Sequence, residues 1–334
     1  MGIEILKDRE QWDRFVDGSP YGSIFHQWDI LKIVEKHTRF QFLPYGITKG
    51  EKLIALLPLF SRRVYGLRMV ASPPPRTGIP HMGFVVSEAF DTQKQDRREQ
   101  DLETIGTELA GELETLAPDH FFMSLPPNFL DVRIFRWLGF EVIPSYTYFL
   151  DLTPPPEKIL ASFKNKRRGA IKSALQSGLS LEIGSDPEDL YRLMKARYDE
   201  LGQALGIPGI EYLQDLSRTL PDAIRICNVR DGDQVVASTM LTRYKDMKFW
   251  LGMPKPTGNA NDFLIWQVIL EAKSQGFSTL EVVGANTRHL SAFKSQFNPA
   301  LVPGFNIRRR NRRAAVAEYL YRLTKHRKGS AHEV

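Results

Sequence analysis

Two groups of residues in this 334-residue chain have types and spacings suited to chemistry. The first centres on Glu281, inside the short apolar strand predicted over Thr279–Val283. Alternation puts Leu280 and Val282 on one face and Glu281 with Val283 on the other. A carboxylate on such a face is partly withdrawn from water, which raises its pKa toward the range a general base needs. Glu281 is therefore the expected base, its other reading being a half-exposed acid paired with Arg288. Asp246, Asp262 and His289 are weaker bases by type, each also readable as a turn, helix-cap or surface group. The second group is the run Ser162–Gly178, SFKNKRRGAIKSALQSG, in which Lys164, Lys166, Arg167, Arg168 and Lys172 meet no acid. Ser162 is the expected N-cap of a helix there. Cations early in a helix oppose its dipole, which points to an anion nearby, a phosphate or an acidic face of another domain. The alternative is a solvated basic face over a buried line of Ile159, Phe163, Ile171, Ala174 and Leu175.

Other chemistries find little support. The one cysteine, Cys227, lies in the apolar strand starting at Ile224, reads as structural, and permits no intrachain disulfide. No G-x-S-x-G is present, and the seven histidines show no metal-ligand spacing, so no metal is expected. There is no apolar run of about 18 residues and no basic-then-apolar leader, so the expected location is cytoplasmic. The net charge of +6 is concentrated at the end of the chain: Arg308–Lys328 holds nine Lys or Arg against one acid, Glu318. Val316, Tyr319, Leu320 and Leu323 recur there at helical spacing. Such a helix either packs on its own domain or meets an anionic partner, such as the inner membrane face or phosphates. No DNA partner is expected.

These groups must be positioned by a unit that occurs twice. Pro44–Val70 and Ile224–Leu251 each read as strand, charged tight turn and longer strand, the turns being Lys49-Gly50-Glu51 and Asp231-Gly232-Asp233. Each copy continues as helix, short strand, helix and closing strand. In copy one these are Arg97–Leu116, His120–Leu125, Phe129–Leu138 and Glu141–Leu152. In copy two they are Asp262–Gln275, Thr279–Val283, Arg288–Phe297 and Val302–Ile307. The fold class is α/β (α+β): two domains in tandem, each a mixed, largely antiparallel sheet flanked by helices. The boundaries are 1–152, 153–310 with the basic interdomain helix, and a basic tail at 311–334. Thr153-Pro154-Pro155-Pro156 is the expected linker, and Ser72–Pro80 a rigid loop. A duplicated unit places function in the cleft between its copies.

The pattern Ser162, Lys164, Arg167, Ala170-Ile171, Ala174 and Gly178 resembles the interdomain helix of FemAB-like transferases of the GNAT acyltransferase superfamily, which carry two tandem GNAT-like domains. SIFHQWDIL (Phe25, Trp28), FLIWQVILEAKSQGF and EVVGANTRHLSAFKSQF resemble three further family segments, so the resemblance runs from about residue 20 to 307. It implies that the lysine of F-K-x-x-F, here Lys294 between Phe293 and Phe297, stabilises the charge developing on the transferred carbonyl. Lys294 also reads as a surface lysine on a helix with Leu290, Phe293 and Phe297 in the core. The family's glycine after the second Phe is replaced by Asn298-Pro299, so the turn must differ. Lys164, Arg167, Arg168, Phe293, Trp250 and Tyr148 form the expected substrate-binding set.

Direct acyl transfer to an amine needs a deprotonated amine, a fixed carbonyl and a stabilised oxyanion, but no nucleophilic side chain. The segment Met253–Asp262 has one glycine and two prolines and makes a poor pyrophosphate cradle. No resident cofactor is expected, and the donor is aminoacyl-tRNA or acyl-CoA. The expectation is an N-acyltransferase acting on an amine of an anionic, envelope-related acceptor, with tRNA or a phosphate-bearing precursor as partner. The alternatives are a CoA-dependent N-acetyltransferase and a non-catalytic tRNA- or phosphate-binding protein.

Overall fold

The computed structural model describes residues 2–252 and 258–329, with side chains as far as Leu320. Among these residues thirteen strands join in one sheet. They are β1 (Gly2–Ile5), β2 (Gln41–Lys49), β3 (Lys52–Val64), β4 (Leu67–Ser72), β5 (Val85–Val86), β6 (His120–Ser124), β7 (Glu141–Asp151), β8 (Ser180–Gly184), β9 (Ile224–Asp231), β10 (Gln234–Arg243), β11 (Met247–Gly252), β12 (Thr279–Val282) and β13 (Ala300–Arg310). The order across the sheet is β1-β2-β3-β4-β6-β13-β7-β12-β11-β10-β9-β8, with β5 on β3. The duplication is visible in that order, which reads alike from either edge. Each half has a hairpin, β2–β3 or β9–β10, whose turn glycine takes a positive φ: +66° at Gly50 and +58° at Gly232. Each half also has one parallel pair, β4–β6 or β11–β12.

The halves do not have separate sheets, contrary to the expectation from the duplication. Their closing strands are exchanged. β13, from the second half, pairs with β6 of the first, and β7, from the first, pairs with β12 of the second. β7 and β13 then pair with each other from Glu141↔Arg308 to Phe149↔Ala300. A closing strand of eleven residues has two long edges, and each edge left bare would expose unpaired backbone groups. The exchange satisfies both edges and makes the sheet continuous. The expected boundary at 152–153 along the chain and the change of half along the ladder therefore do not coincide.

A shared core fixes the halves to each other. Trp12, Phe25 and Phe60 of the first pack in one cluster with Tyr212, Met240 and Trp250 of the second. The helix Ala260–Ser274 is apolar around its circumference and is buried from Ala260 through Trp266, as such a pattern requires. Two short helices, Pro156–Ser162 and Asn165–Leu175, replace the single basic helix expected after the linker. Ser162 ends the first, its hydroxyl donating to Ile159 O at 2.7 Å, and Lys164 precedes the second without a side-chain cap. Leu175 is exposed rather than buried.

The basic segment divides as well. Arg308–Arg310 belong to β13, where Arg308 pairs with Glu141 and the Arg309 guanidinium lies 5.3 Å from the Phe140 ring. The helix Arg312–Gly329 follows, and in its described part Ala314 is buried while Val316, Tyr319 and Leu320 are exposed. Leu323, the fourth residue of the expected stripe, lies beyond the described side chains.

Candidate active site

A cleft of about 330 Å³ opens at the middle of the sheet, where the halves meet. β12 pairs with β7 only from Tyr148 onward, and β6 pairs with β13 only from Asn306 onward. Where those ladders end, Ser145, Tyr146 and Thr147 of β7 and Gly304 of β13 line the cleft. The rigid loop Pro73–Pro80 covers it, and Met69, Ala71 and Phe122 of the first half's parallel pair form a wall.

Against this cleft the fold buries a chain of charges. Lys248 and Glu281 face each other in register on β11 and β12. The Lys248 ammonium donates to Glu281 Oε2 at 2.6 Å and also to Asp246. Thr147 Oγ1 donates to Glu281 Oε1 at 2.8 Å. His81 Nε2 stands 3.2 Å from both carboxylate oxygens. Burial alone would push the Glu281 pKa up, but Lys248 and His81 outweigh it and hold the carboxyl far below its usual range. Lys248, which burial would push down, is held above its usual value by Glu281 and Asp246. Glu281 is thus a carboxylate with 0% exposure whose charged form is favoured by its partners, and the raised pKa expected of a base is reversed. Both faces of its strand are covered, since Leu280 and Val282 are buried too.

His81 itself is 6% exposed and lines the cleft. A carboxylate only accepts hydrogen bonds, so in the neutral ring Nε2 carries the hydrogen and Nδ1 the lone pair. Nδ1 is buried without a hydrogen-bond partner. The next residue is anchored by His26, whose Nε2 lies 2.9 Å from Met82 O and whose Nδ1 accepts from Ser23 N at 3.1 Å. Burial pushes the His26 pKa down to about 3, so this second imidazole stays neutral and serves as a tether.

Lys294 ends the helix Arg288–Lys294 and is 7% exposed, so it is not the surface lysine of its alternative reading. Its ammonium donates to Val283 O at the end of β12. Burial lowers its pKa to about 8, against an opposing pull from Glu281. The next residue, Gly284, lines the cleft at φ +100°, and a Cβ there would lie 3.2 Å from Lys294 Nζ. Leu290 is exposed rather than core, whereas Phe297 is buried. Asn298 takes the left-handed conformation, φ +54°, that the expected glycine would have supplied.

The expected substrate-binding residues are placed differently, and none of the six lines the cleft. Arg167 is buried, with Nη1 2.9 Å from both oxygens of Asp262 and its guanidinium 5.3 Å from the Phe293 ring. Arg168 donates to Ala161 O and Phe163 O at 3.0 Å. Lys164 is exposed. The Trp250 indole donates to Gly78 O at 2.7 Å and so holds the proline-rich cover. Tyr148 OH meets Ser291 Oγ at 2.8 Å and ties β7 to the helix bearing Lys294. Of the remaining titratable groups, His289 is exposed, and burial pushes the Cys227 thiol up to about 12, as suits a structural cysteine. Of the segment Met253–Asp262, read as a poor pyrophosphate cradle, residues 253–257 lie outside the described residues and Ala260–Asp262 open the buried helix Ala260–Ser274.

Sequence reasoning missed His81, Lys248 and Thr147. A signal existed for Lys248: a charge between Met247 and Phe249 in an apolar strand needs a buried partner, and Glu281 in TLEVVG poses the same demand. His81 directly follows the rigid proline loop, a place where a side chain is held firmly.

Residues 161–295 match the model of the acetyltransferase (GNAT) domain. No curated protein matches the chain. Among solved structures, FemX superimposes with a TM-score of 0.68 at 13% identity, covering 91% of this chain and 97% of that one. L-PGS from Bacillus licheniformis gives 0.56 at 15% identity, covering 96% and 97%. A tandem GNAT protein from the clavulanic acid biosynthesis pathway gives 0.53 at 12% identity, covering 92% and 97%. The two parallel pairs, the mirrored strand order and these superpositions agree: the chain has a tandem GNAT fold like that of FemX, and residues 161–295 match the acetyltransferase (GNAT) domain.

Proposed function

We propose that the junction cleft transfers an acyl or aminoacyl group to an amine, with Lys294 stabilising the oxyanion. The observation that carries this reading is the buried Lys294 ammonium donating to Val283 O, directly behind Val283 and Gly284 on the wall of a cleft to which both halves contribute. A buried ammonium in a site of low dielectric stabilises developing negative charge far better than one in water. The donor is an activated acyl group, as in aminoacyl-tRNA or acyl-CoA, and the acceptor an amine of an anionic, envelope-related precursor. The neighbours FemX and L-PGS support aminoacyl transfer. The acetyltransferase domain model supports the second reading, acetyl-CoA as donor.

A thermal-shift screen against acyl-CoAs, charged tRNA and UDP-linked precursors tests this, because a ligand that binds only the native state raises the midpoint. Mass spectrometry of the products then identifies the transferred group. Lys294→Met keeps the apolar stem and removes the charge. Its turnover should fall on the order of 100- to 1000-fold, about 3–4 kcal/mol, with substrate affinities nearly unchanged. Near-native turnover in that variant would remove Lys294 from the chemistry.

A further inference from the structure

We infer that His81 is the catalytic base of this site: its Nδ1 takes the proton of the attacking amine, and Glu281, fixed by Lys248 and Thr147, orients the ring. The inference rests on the acyl-transfer reading of the cleft and adds the group that accepts the proton the attacking amine nitrogen must lose.

Three observations select His81. Among the described residues no Asp or Glu lines the cleft, so proton acceptance from an amine falls to an imidazole. Two imidazoles line it, His81 and His120, and each has a buried Nδ1 without a partner. His81 is backed by a buried, hydrogen-bonded carboxylate. Its Nε2 meets both Glu281 oxygens at 3.2 Å, which fixes the tautomer and favours the imidazolium that forms on proton uptake. At His120, burial together with Arg308 and Arg310 disfavours the charged form against an opposing pull from Glu318. Glu281 is in turn held on its other sides by Lys248 at 2.6 Å and Thr147 at 2.8 Å. The pair thus has a base and an orienter without a side-chain nucleophile, as direct transfer requires.

The step balances without a further reactant. The amine nitrogen attacks the acyl carbonyl carbon, a C–N bond forms, and the carbonyl electron pair moves to oxygen beside Lys294. The nitrogen loses one proton to His81 Nδ1. The pair returns from oxygen, and the bond from carbon to the ribose oxygen or thiol sulfur breaks. That leaving group departs with its electron pair and takes the proton back from His81.

The test compares wild type with His81→Gln, using acetyl-CoA or aminoacyl-tRNA as donor and a UDP-linked peptide precursor as acceptor. The titratable groups around His81 are Glu281, Lys248, Lys294, His26 and, across the cleft, His120. In wild type, kcat/KM should rise with pH as one imidazole loses its proton. His81→Gln should lose that rising limb and about 100- to 10,000-fold in kcat, with KM for the acceptor little changed. His289→Gln, which alters an exposed imidazole, should keep both limb and rate. Persistence of the limb in His81→Gln, or its loss in His120→Gln instead, overturns the inference. Should His81→Gln not fold, nitrogen-15 NMR of histidine-labelled wild type decides: one Nδ1 must titrate with the midpoint of the kinetic limb, and absence of such a signal overturns it. Should wild type transfer no acyl group from any donor, the reading of the cleft itself fails. Transfer with an unchanged His81→Gln profile removes only the base.

Discussion

The two parallel strand pairs occupy equivalent places in the two halves and have opposite chemistry. In the first half Met69, Val70 and Ala71 of β4 face His120, Phe121 and Phe122 of β6. In the second half Met247, Lys248 and Phe249 of β11 face Leu280, Glu281 and Val282 of β12. One architecture is used once as a mostly apolar wall, with His120 its one titratable group among these residues, and once as a carrier of buried charge. The family model matches the half that carries the charge. Duplication supplied two equal frames, and the exchange of closing strands brought the wall of one against the charges of the other.

Removing half of the charge pair should break this comparison most sharply. Glu281→Ala leaves Lys248 buried without its main partner and should cost about 3–5 kcal/mol of stability. The double change Lys248→Met with Glu281→Leu makes the second pair resemble the first, and should be far less destabilising than the single one. Chemical denaturation measures both, and a double variant as unstable as Glu281→Ala would show that the pair is needed for folding.

Lys294 connects stability with pH. Its folded pKa of about 8 lies below the ordinary lysine value of 10.5, so the folded state resists protonation. Below pH 8 the folded protein carries the cost of a buried ammonium, about 3 kcal/mol, and that cost is relieved as pH rises from 8 to 10.5. Lys294→Met should therefore unfold no earlier than wild type at pH 7, although turnover collapses. In wild type, turnover should fall above pH 8 as the ammonium is lost, and a rate flat from pH 7 to 9.5 would refute its electrostatic role.

Gly284→Ala is a smaller perturbation. It strains a left-handed backbone position, costing roughly 1–3 kcal/mol, and crowds the Lys294 ammonium. Turnover should drop together with the melting midpoint, whereas Gly50→Ala, at a turn far from the cleft in open space, should lower only the midpoint.

Smallest in stability is the tail. Deleting residues 315–334 removes the exposed Val316, Tyr319 and Leu320 and leaves β13 intact, so the midpoint should move little. Retention on anionic vesicles or tRNA should be lost and should weaken with salt in the full chain, since screening acts over about 8 Å at physiological ionic strength. Equal retention of both forms would remove the tail as a binding element.

The sequence by itself determined the repeat, because alternating apolar residues and the glycine turns at Gly50 and Gly232 are local signals with a fixed period. It also marked Glu281 as a charge in an apolar strand, while Lys294 was marked by the resemblance of Phe293-Lys294 and Phe297 to the family's F-K-x-x-F motif. It could not give the sign of the Glu281 pKa shift, which depends on Lys248, 33 residues away, and on His81, 200 residues away. Nor could it show that Arg167 is occupied by Asp262, or that Trp250 and Tyr148 hold a loop and a helix rather than a substrate. Strand exchange was equally hidden, since β7 and β13 look the same whichever half they complete. Local pattern decides which elements form. Which partner each buried charge and each strand edge finds depends on contacts distant in sequence, and only the tertiary structure sets those.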